Sequence, residues 1–180
     1  MNPDIHVAAT ATLADLALQI AQGQIGQKEE PTGSNKGPMV NEYLKAAGLN
    51  PGYAWCQAFV YWCYNEAAKK MNIPNPMVRT AGVYDCWNRT VSRNGVTKLL
   101  KPLVMNKPGL LMPGDQFILT FGRQAGHTGL VERVDISAKG AVIHTIEGNS
   151  NSNGGREGYE VARHTRNIND KALQGFIKYM

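Results

Sequence analysis

A cysteine hydrolase needs a thiol and an imidazole, and this sequence contains three cysteines and four histidines. Cys56 lies just after the Pro51-Gly52 turn, at the predicted start of a helix. Unpaired N–H groups and the positive pole of the helix dipole stabilise a thiolate there, and the backbone N–H of Cys56 is placed to bind an oxyanion. Cys63 and Cys86 have none of these features, so we interpret them as inert apolar residues. Because the cysteine count is odd, we expect free thiols rather than a disulfide framework.

The base that activates such a thiol is predicted to be His127. This residue opens a strand immediately after Gly126, and Gly129 is its next neighbour on the same face of that strand. The two glycines leave open space around the ring. An imidazole needs that space to contact both a nucleophile and a substrate.

The other three histidines are weaker candidates for the base. His6 lies in an N-terminal segment without a helix or strand pattern, and His164 lies in a polar stretch typical of a protein surface. His144 shares one face of a predicted strand with Val142 and Ile146, which is typical of a core position. We therefore expect His144 to contribute to packing and not to the chemistry.

A third polar group must orient the imidazole of a cysteine hydrolase. Alternation along the strand that contains His144 places Glu147 and Asn149 on one face and His144 on the other. Glu147 and Asn149 can therefore serve His127 on a neighbouring strand, whereas they cannot easily serve His144. The alternative interpretation of these two residues is a polar strand end followed by a turn.

The elements that must position these residues follow a helix-then-strand order. That order indicates an α+β fold, and a chain of 180 residues suits a single domain, with residues 1–25 as a helical extension packed on it. Helices are predicted over residues 11–23, 39–47, 54–68 and 81–92, and strands over 116–121, 127–134, 141–146 and 175–179.

Composition and charge exclude several classes of function. Hydrophobic residues form 43% and charged residues 18% of the chain, as in ordinary soluble domains. The net charge of +5 is scattered, with the most basic region in the tail around Arg163 and Arg166. We interpret it as surface charge, or else as attraction to an anionic polymer. No zinc finger, RNA-binding aromatic signature or basic heptad predicts nucleic-acid binding, and no apolar run is long enough to span a membrane.

Four segments of the sequence form an ordered set. Residues 52–63 resemble a nucleophile helix, and Pro113-Gly114-Asp115 precedes an apolar strand. Residues 126–131 begin the predicted strand that contains His127, and residues 145–150 contain the polar residues Glu147 and Asn149. Together these segments resemble CHAP domains, the cysteine, histidine-dependent amidohydrolases/peptidases related to NlpC-type cell-wall hydrolases. The resemblance covers residues 26–180.

This resemblance implies a papain-like fold, in which N-terminal helices hold the nucleophile against a small antiparallel sheet. It implies that Cys56 attacks an amide carbonyl after His127 has taken the thiol proton. Glu147 would orient His127, and Asn149 would assist by hydrogen bonding near the site. Family substrates are mostly peptidoglycan, so we expect an N-acetylmuramoyl-L-alanine amidase or a stem-peptide or cross-bridge endopeptidase that works through an acyl-enzyme.

Residues around the nucleophile are candidates for substrate binding. Tyr53, Trp55 and Gln57 flank Cys56, and Tyr53 is the candidate that would help to shape the oxyanion hole. Some phage members of the family carry an acidic calcium loop before the cysteine. Residues 33–38 contain no clustered carboxylates, so we expect no structural calcium and no other cofactor.

Peptidoglycan is the partner that the resemblance implies. We find no signal peptide, so we expect synthesis in the cytoplasm and action on the wall after lysis or delivery. That route would add a holin, a secretion system or an immunity protein as further partners, and we expect the protein to be a monomer. One alternative is a cysteine protease or acyltransferase with a non-wall substrate, because the same residues support any acyl transfer. Another is a catalytically silent wall-binding module, against which the intact Cys56, His127 and Glu147 argue.

Overall fold

The order of elements along the chain is helices first and most strands second. A computed structural model describes residues 11–122, 125–138, 140–151 and 158–180, and His6 lies outside them. The helices are α1 (Leu13–Gln22), α2 (Pro38–Ala47), α3 (Cys56–Met71), α4 (Val83–Arg89) and α5 (Lys101–Asn106), followed by a short 3₁₀ turn at Pro108–Leu110. The strands are β1 (Val96–Leu100), β2 (Gln116–Phe121), β3 (Ala125–Ser137), β4 (Gly140–Ser150), β5 (Glu160–Asn167) and β6 (Leu173–Tyr179).

The six strands form one antiparallel sheet in the order β1-β6-β2-β3-β4-β5. Helices packed on an antiparallel sheet confirm the predicted α+β fold class. The four strands predicted from the sequence are the four central ones, whereas β1 and β5, which the sequence did not predict, form the two edges. Edge strands tolerate polar and charged side chains, so β5 lacks the apolar pattern by which a strand is recognised.

Helix α3 is the central helix and packs against α1, α2, β3 and β4. Ten of its 16 residues are buried, as its nearly uniform apolar sequence predicts. The helix ends at Asn72 in a left-handed conformation, with Lys69 and Lys70 in the last turn beside the negative pole of the helix dipole. Its other end, at the positive pole, begins with Cys56.

The sheet is covered on both faces, which fixes the register of its central strands. On one face, Ile118 and Leu130 belong to the core that also contains residues of α1, α2, α3 and α4. On the other face, Phe117 and Val131 pack with Val104 of α5. Because neighbouring residues enter opposite cores, a slip of one residue would exchange the two faces. None of the described helices combines the length and the apolar character that a membrane crossing requires.

Candidate active site

Cys56 is the first residue of α3, and only 6% of its surface is exposed. Gly52, with a left-handed φ of 105°, lies in the turn from which the chain enters the helix. Trp55 occupies the N-cap position and makes no side-chain hydrogen bond to the first turn. The free N–H groups of that turn and the helix dipole therefore favour negative charge on the sulfur.

His127 of β3 connects the thiol to a carboxylate. Its Nε2 lies 2.6 Å from Oε2 of Glu147, and the Cys56 side chain is close enough to the ring to shift its pKa. Burial lowers the pKa of His127, but the interactions of the ring with Cys56 and Glu147 outweigh that effect and raise it from 6.5 to about 9. At neutral pH the ring is therefore an imidazolium that favours a thiolate on one side and a carboxylate on the other.

Glu147 of β4 is fully buried and has three side-chain partners. Besides His127, it accepts a 2.6 Å hydrogen bond from the hydroxyl of Thr145, and Arg166 donates to both of its carboxylate oxygens. Burial raises the pKa of Glu147, whereas the hydrogen bonds from Arg166 and His127 lower it, with a net value of about 2. A buried carboxylate with this many donors stays ionised and holds the proton of His127 in place.

Gly129 leaves the space through which Glu147 reaches the histidine. A Cβ atom at this position would lie 2.8 Å from Cγ of Glu147 and 3.0 Å from Cε1 of Phe117. It would also lie 2.5 Å from the carbonyl oxygen of Ile146. Gly129 is therefore required because the Glu147 side chain packs where a Cβ atom would lie. This is a more specific reason than the open space around the His127 ring that the sequence predicts.

The CHAP domain family model matches residues 48–149, a range that includes Cys56, His127 and Glu147. The chain belongs to the CHAP family. The fold of this CHAP protein is similar to that in a crystal structure of the wild-type endolysin LysIME-EF1, with a TM-score of 0.54 and 17% sequence identity. The similarity covers 94% of this chain and 65% of the endolysin chain. No curated protein matches the sequence.

The three candidate substrate-binding residues of this CHAP protein lie in different surroundings. Tyr53 is 57% exposed beside the nucleophile, where a substrate can contact it. Trp55 is fully buried, and its indole N–H donates to Glu29 at 2.9 Å. Gln57 is also fully buried, and its carbonyl oxygen accepts from Gln116 at 2.7 Å. Burial therefore gives Trp55 and Gln57 a role in packing rather than in contact with a substrate.

A buried amide network lies beneath the nucleophile and the base. The Nε2 of Gln116 donates to Gln57 and also to the hydroxyl of Thr128, at 2.7 and 3.0 Å. Gln57 follows Cys56 in α3, and Thr128 follows His127 in β3. These hydrogen bonds therefore link α3, which carries the thiol, to β3, which carries the imidazole. Sequence reasoning did not find Gln116, whose only signal was a polar residue at the start of an apolar strand.

Asn149 departs from the alternation that the sequence predicts. Its φ of 52° is left-handed, and the pairing of β4 with β5 shifts between Glu147 and Ser150. The backbone of Asn149 is also closely covered, because a Cβ at Gly158 would lie 1.9 Å from its carbonyl oxygen. Strand alternation therefore holds as far as Glu147, and the assistance of Asn149 near the site stays a prediction.

His144 and His164 are placed differently from the sequence-based expectation. The side chain of His144 is 25% exposed and its Nε2 lies 2.8 Å from Asp135, so it belongs to a surface ion-pair cluster rather than to the core. Val142 on the same face is also exposed. His164 is partly buried, and its Nε2 lies 2.6 Å from the hydroxyl of Ser150.

Cys63 and Cys86 differ from Cys56 in their surroundings. All three thiols are free, but burial raises the pKa of Cys63 well above its ordinary value and raises that of Cys86 to about 11. Both therefore stay protonated at neutral pH. Among the described residues, no group of three or more His, Cys, Asp or Glu side chains could hold a metal ion.

Proposed function

We propose that this CHAP protein is a peptidoglycan hydrolase that cuts an amide bond through an acyl-enzyme on Cys56. The observation that carries the proposal is the His127 ring, which is hydrogen bonded to the buried Glu147 carboxylate and interacts with the Cys56 thiol at the start of α3. Membership of the CHAP family supports the wall as the substrate, and so does a fold similar to that of an endolysin. The bond is the N-acetylmuramoyl-L-alanine amide or a peptide bond of the stem or cross-bridge.

The reaction follows from the charges in the site. The Cys56 thiolate attacks the amide carbonyl, and the N–H groups at the start of α3 stabilise the oxyanion that forms. The His127 imidazolium donates its proton to the amine as the carbon–nitrogen bond breaks. The neutral ring then takes a proton from water, the hydroxide attacks the thioester, and the carboxylic acid leaves as the Cys56 thiolate and the His127 imidazolium are restored. Glu147 orients His127 through both stages.

Digestion of purified peptidoglycan tests this function. We expect wild-type protein to release soluble muropeptides, and Cys56→Ala to release none while it still binds the wall. Cys63→Ala is the matched control, since Cys63 lies two turns further along the same helix and is fully buried away from the ring. Mass spectrometry of the fragments separates amidase from endopeptidase products. Transfer of an acyl group to an amine acceptor without any wall cleavage would instead identify a different acyl-transfer enzyme.

Alkylation by iodoacetamide tests the nucleophile without a substrate. In the folded protein, Cys56 should react faster than Cys63 or Cys86, because both of these are buried and protonated. Equal and slow labelling of all three residues would show that Cys56 is not the nucleophile.

A further inference from the structure

Arg166 is a charged residue that no pattern in the sequence connects with catalysis. It lies on β5, the edge strand, yet its side chain is only 28% exposed. Its Nε donates to Oε1 of Glu147 at 2.8 Å, and its Nη2 donates to Oε2. The guanidinium also lies over the ring of Phe117, 5.8 Å from its centre. The ring of Phe117 in turn contacts His127, so the guanidinium borders two side chains that contact the base, Glu147 and Phe117.

Glu147 therefore lies between two cations. A planar guanidinium that donates two parallel hydrogen bonds fixes the rotation of a carboxylate, which a single donor would leave free. The hydroxyl of Thr145 adds a neutral donor. The titratable and charged groups around this arrangement are Cys56 of α3, His127 of β3, His164 and Arg166 of β5, and Asp170 near Arg166.

We propose that Arg166 is a positioning residue for the reaction, which holds Glu147 in the orientation that His127 needs and keeps the shared proton on His127. This inference rests on the proposed role of Cys56 and His127. A fully buried carboxylate with one fewer cation would take the proton from the imidazolium, since two neutral groups are favoured over ions in a dry site. The ring would then no longer favour a thiolate on Cys56. Arg166 thus acts on the nucleophile through two intervening side chains.

The alternative role for Arg166 is a structural link between β5 and β4. Arg163 is a matched control for that role, because it lies on the same strand and donates to both oxygens of Glu132 at 2.8 and 2.9 Å. Its side chain is 58% exposed, and its partner does not contact His127. Loss of a purely structural arginine–carboxylate pair should leave the pH dependence of Cys56 alkylation unchanged, as in Arg163→Met, whereas an effect on the nucleophile should be confined to Arg166.

The experiment measures alkylation of Cys56 by iodoacetamide from pH 5 to 10, together with wall cleavage, for wild type, Arg166→Met, Arg166→Lys and Arg163→Met. We expect Arg166→Met to slow alkylation at pH 6 about tenfold while leaving the rate at pH 9.5 unchanged. We expect kcat for wall cleavage to fall about 10–100-fold with KM nearly constant, as for other residues that orient a reacting group. Arg166→Lys keeps the charge and should be intermediate, and Arg163→Met should match wild type.

Two results would overturn the role of Arg166. One is a folded Arg166→Met protein whose alkylation profile and cleavage rate equal those of Arg163→Met. If Arg166→Met does not fold, a folded Arg166→Lys protein with wild-type values overturns the inference, and slowed alkylation at pH 6 in that protein supports it. A wild-type protein that cleaves no peptidoglycan, but whose alkylation still depends on Arg166, would refute the proposed function and leave the role of Arg166 standing.

Discussion

The substitution Gly129→Ala tests the geometry of the site most directly. Gly129 carries no part of the chemistry, and a methyl group there adds neither charge nor a hydrogen bond. It would nevertheless lie 2.5 Å from the Ile146 carbonyl oxygen and 2.8 Å from Cγ of Glu147, well inside the ordinary contact distance of about 3.5 Å. Either the backbone of β4 or the Glu147 side chain must therefore move, and a shift of Glu147 lengthens its hydrogen bond to His127.

The size of both effects follows from these contacts. Overpacking a buried site costs about 1–3 kcal/mol in the free energy of unfolding. In a protein of this length each kcal/mol lowers the melting temperature by about 2–4 °C, so we expect Tm to fall by roughly 2–12 °C. The protein stays folded at 25 °C, where we expect kcat for wall cleavage to fall by at least about tenfold, because small errors in positioning reacting groups are costly.

Calorimetry and wall digestion at 25 °C measure the two effects, and Gly109→Ala is the control, because a Cβ at Gly109 would have no neighbour within 4 Å. A double-mutant cycle with Glu147→Ala sharpens the result. Without the carboxylate, Gly129→Ala has nothing further to displace, so its effect on activity should vanish while the strain against Ile146 remains. If Gly129→Ala is folded and fully active, space at this position does not place Glu147 and the reasoning fails.

Three further predictions concern other parts of the molecule. His127→Ala should abolish wall cleavage. His144→Ala removes a surface contact with Asp135, so it should leave activity intact and change the free energy of unfolding by less than about 1 kcal/mol; loss of activity in this second variant would contradict the choice of base. Burial raises the pKa of Asp115 from 3.8 to about 6, so its ionisation weakens the folded state as pH rises through that interval. Between pH 4 and 7, the free energy of unfolding of Asp115→Asn, measured with urea, should therefore rise by roughly 3 kcal/mol relative to that of wild type. The same pH dependence in both proteins would refute this. Trp55→Phe removes the N–H that donates to the buried Glu29 and should lower the free energy of unfolding by roughly 3 kcal/mol. Adding Glu29→Ala should restore part of that loss. Unchanged stability of Trp55→Phe would show that the hydrogen bond is not needed.

The central part of the fold and the main residues of the site could be predicted because they depend on periodicity. Residues that alternate along a buried strand must enter opposite cores, and this rule alone predicts that Glu147 lies on the face opposite to His144. The start of α3 at Cys56 is also a local property, since a glycine turn precedes an apolar helix. Such features can be predicted from the residues that lie close to one another along the chain.

The rest of the site depends on contacts between distant residues. Arg166 was missed because the polar strand β5 resembles a surface segment, and only its pairing with β4 brings the guanidinium to Glu147. Asn149 was placed by an alternation that a left-handed residue interrupts. The burial of Gln57 depends on Gln116, which lies 59 residues further along the chain. No local pattern contains that information.

The position of Arg166 on an edge strand has a consequence for how the protein loses activity. Residues 26–29 pair with the start of β5 at residues 159–161, but the part of β5 that contains Arg166 has only β4 as a neighbour among the described strands. Such an edge segment opens in local fluctuations at a lower free energy than the centre of a sheet. Each such opening would withdraw the guanidinium from Glu147 while α3 and the central strands remain folded. Inactivation by mild denaturant should therefore precede global unfolding, and amide protons of β5 should exchange with solvent faster than those of β3.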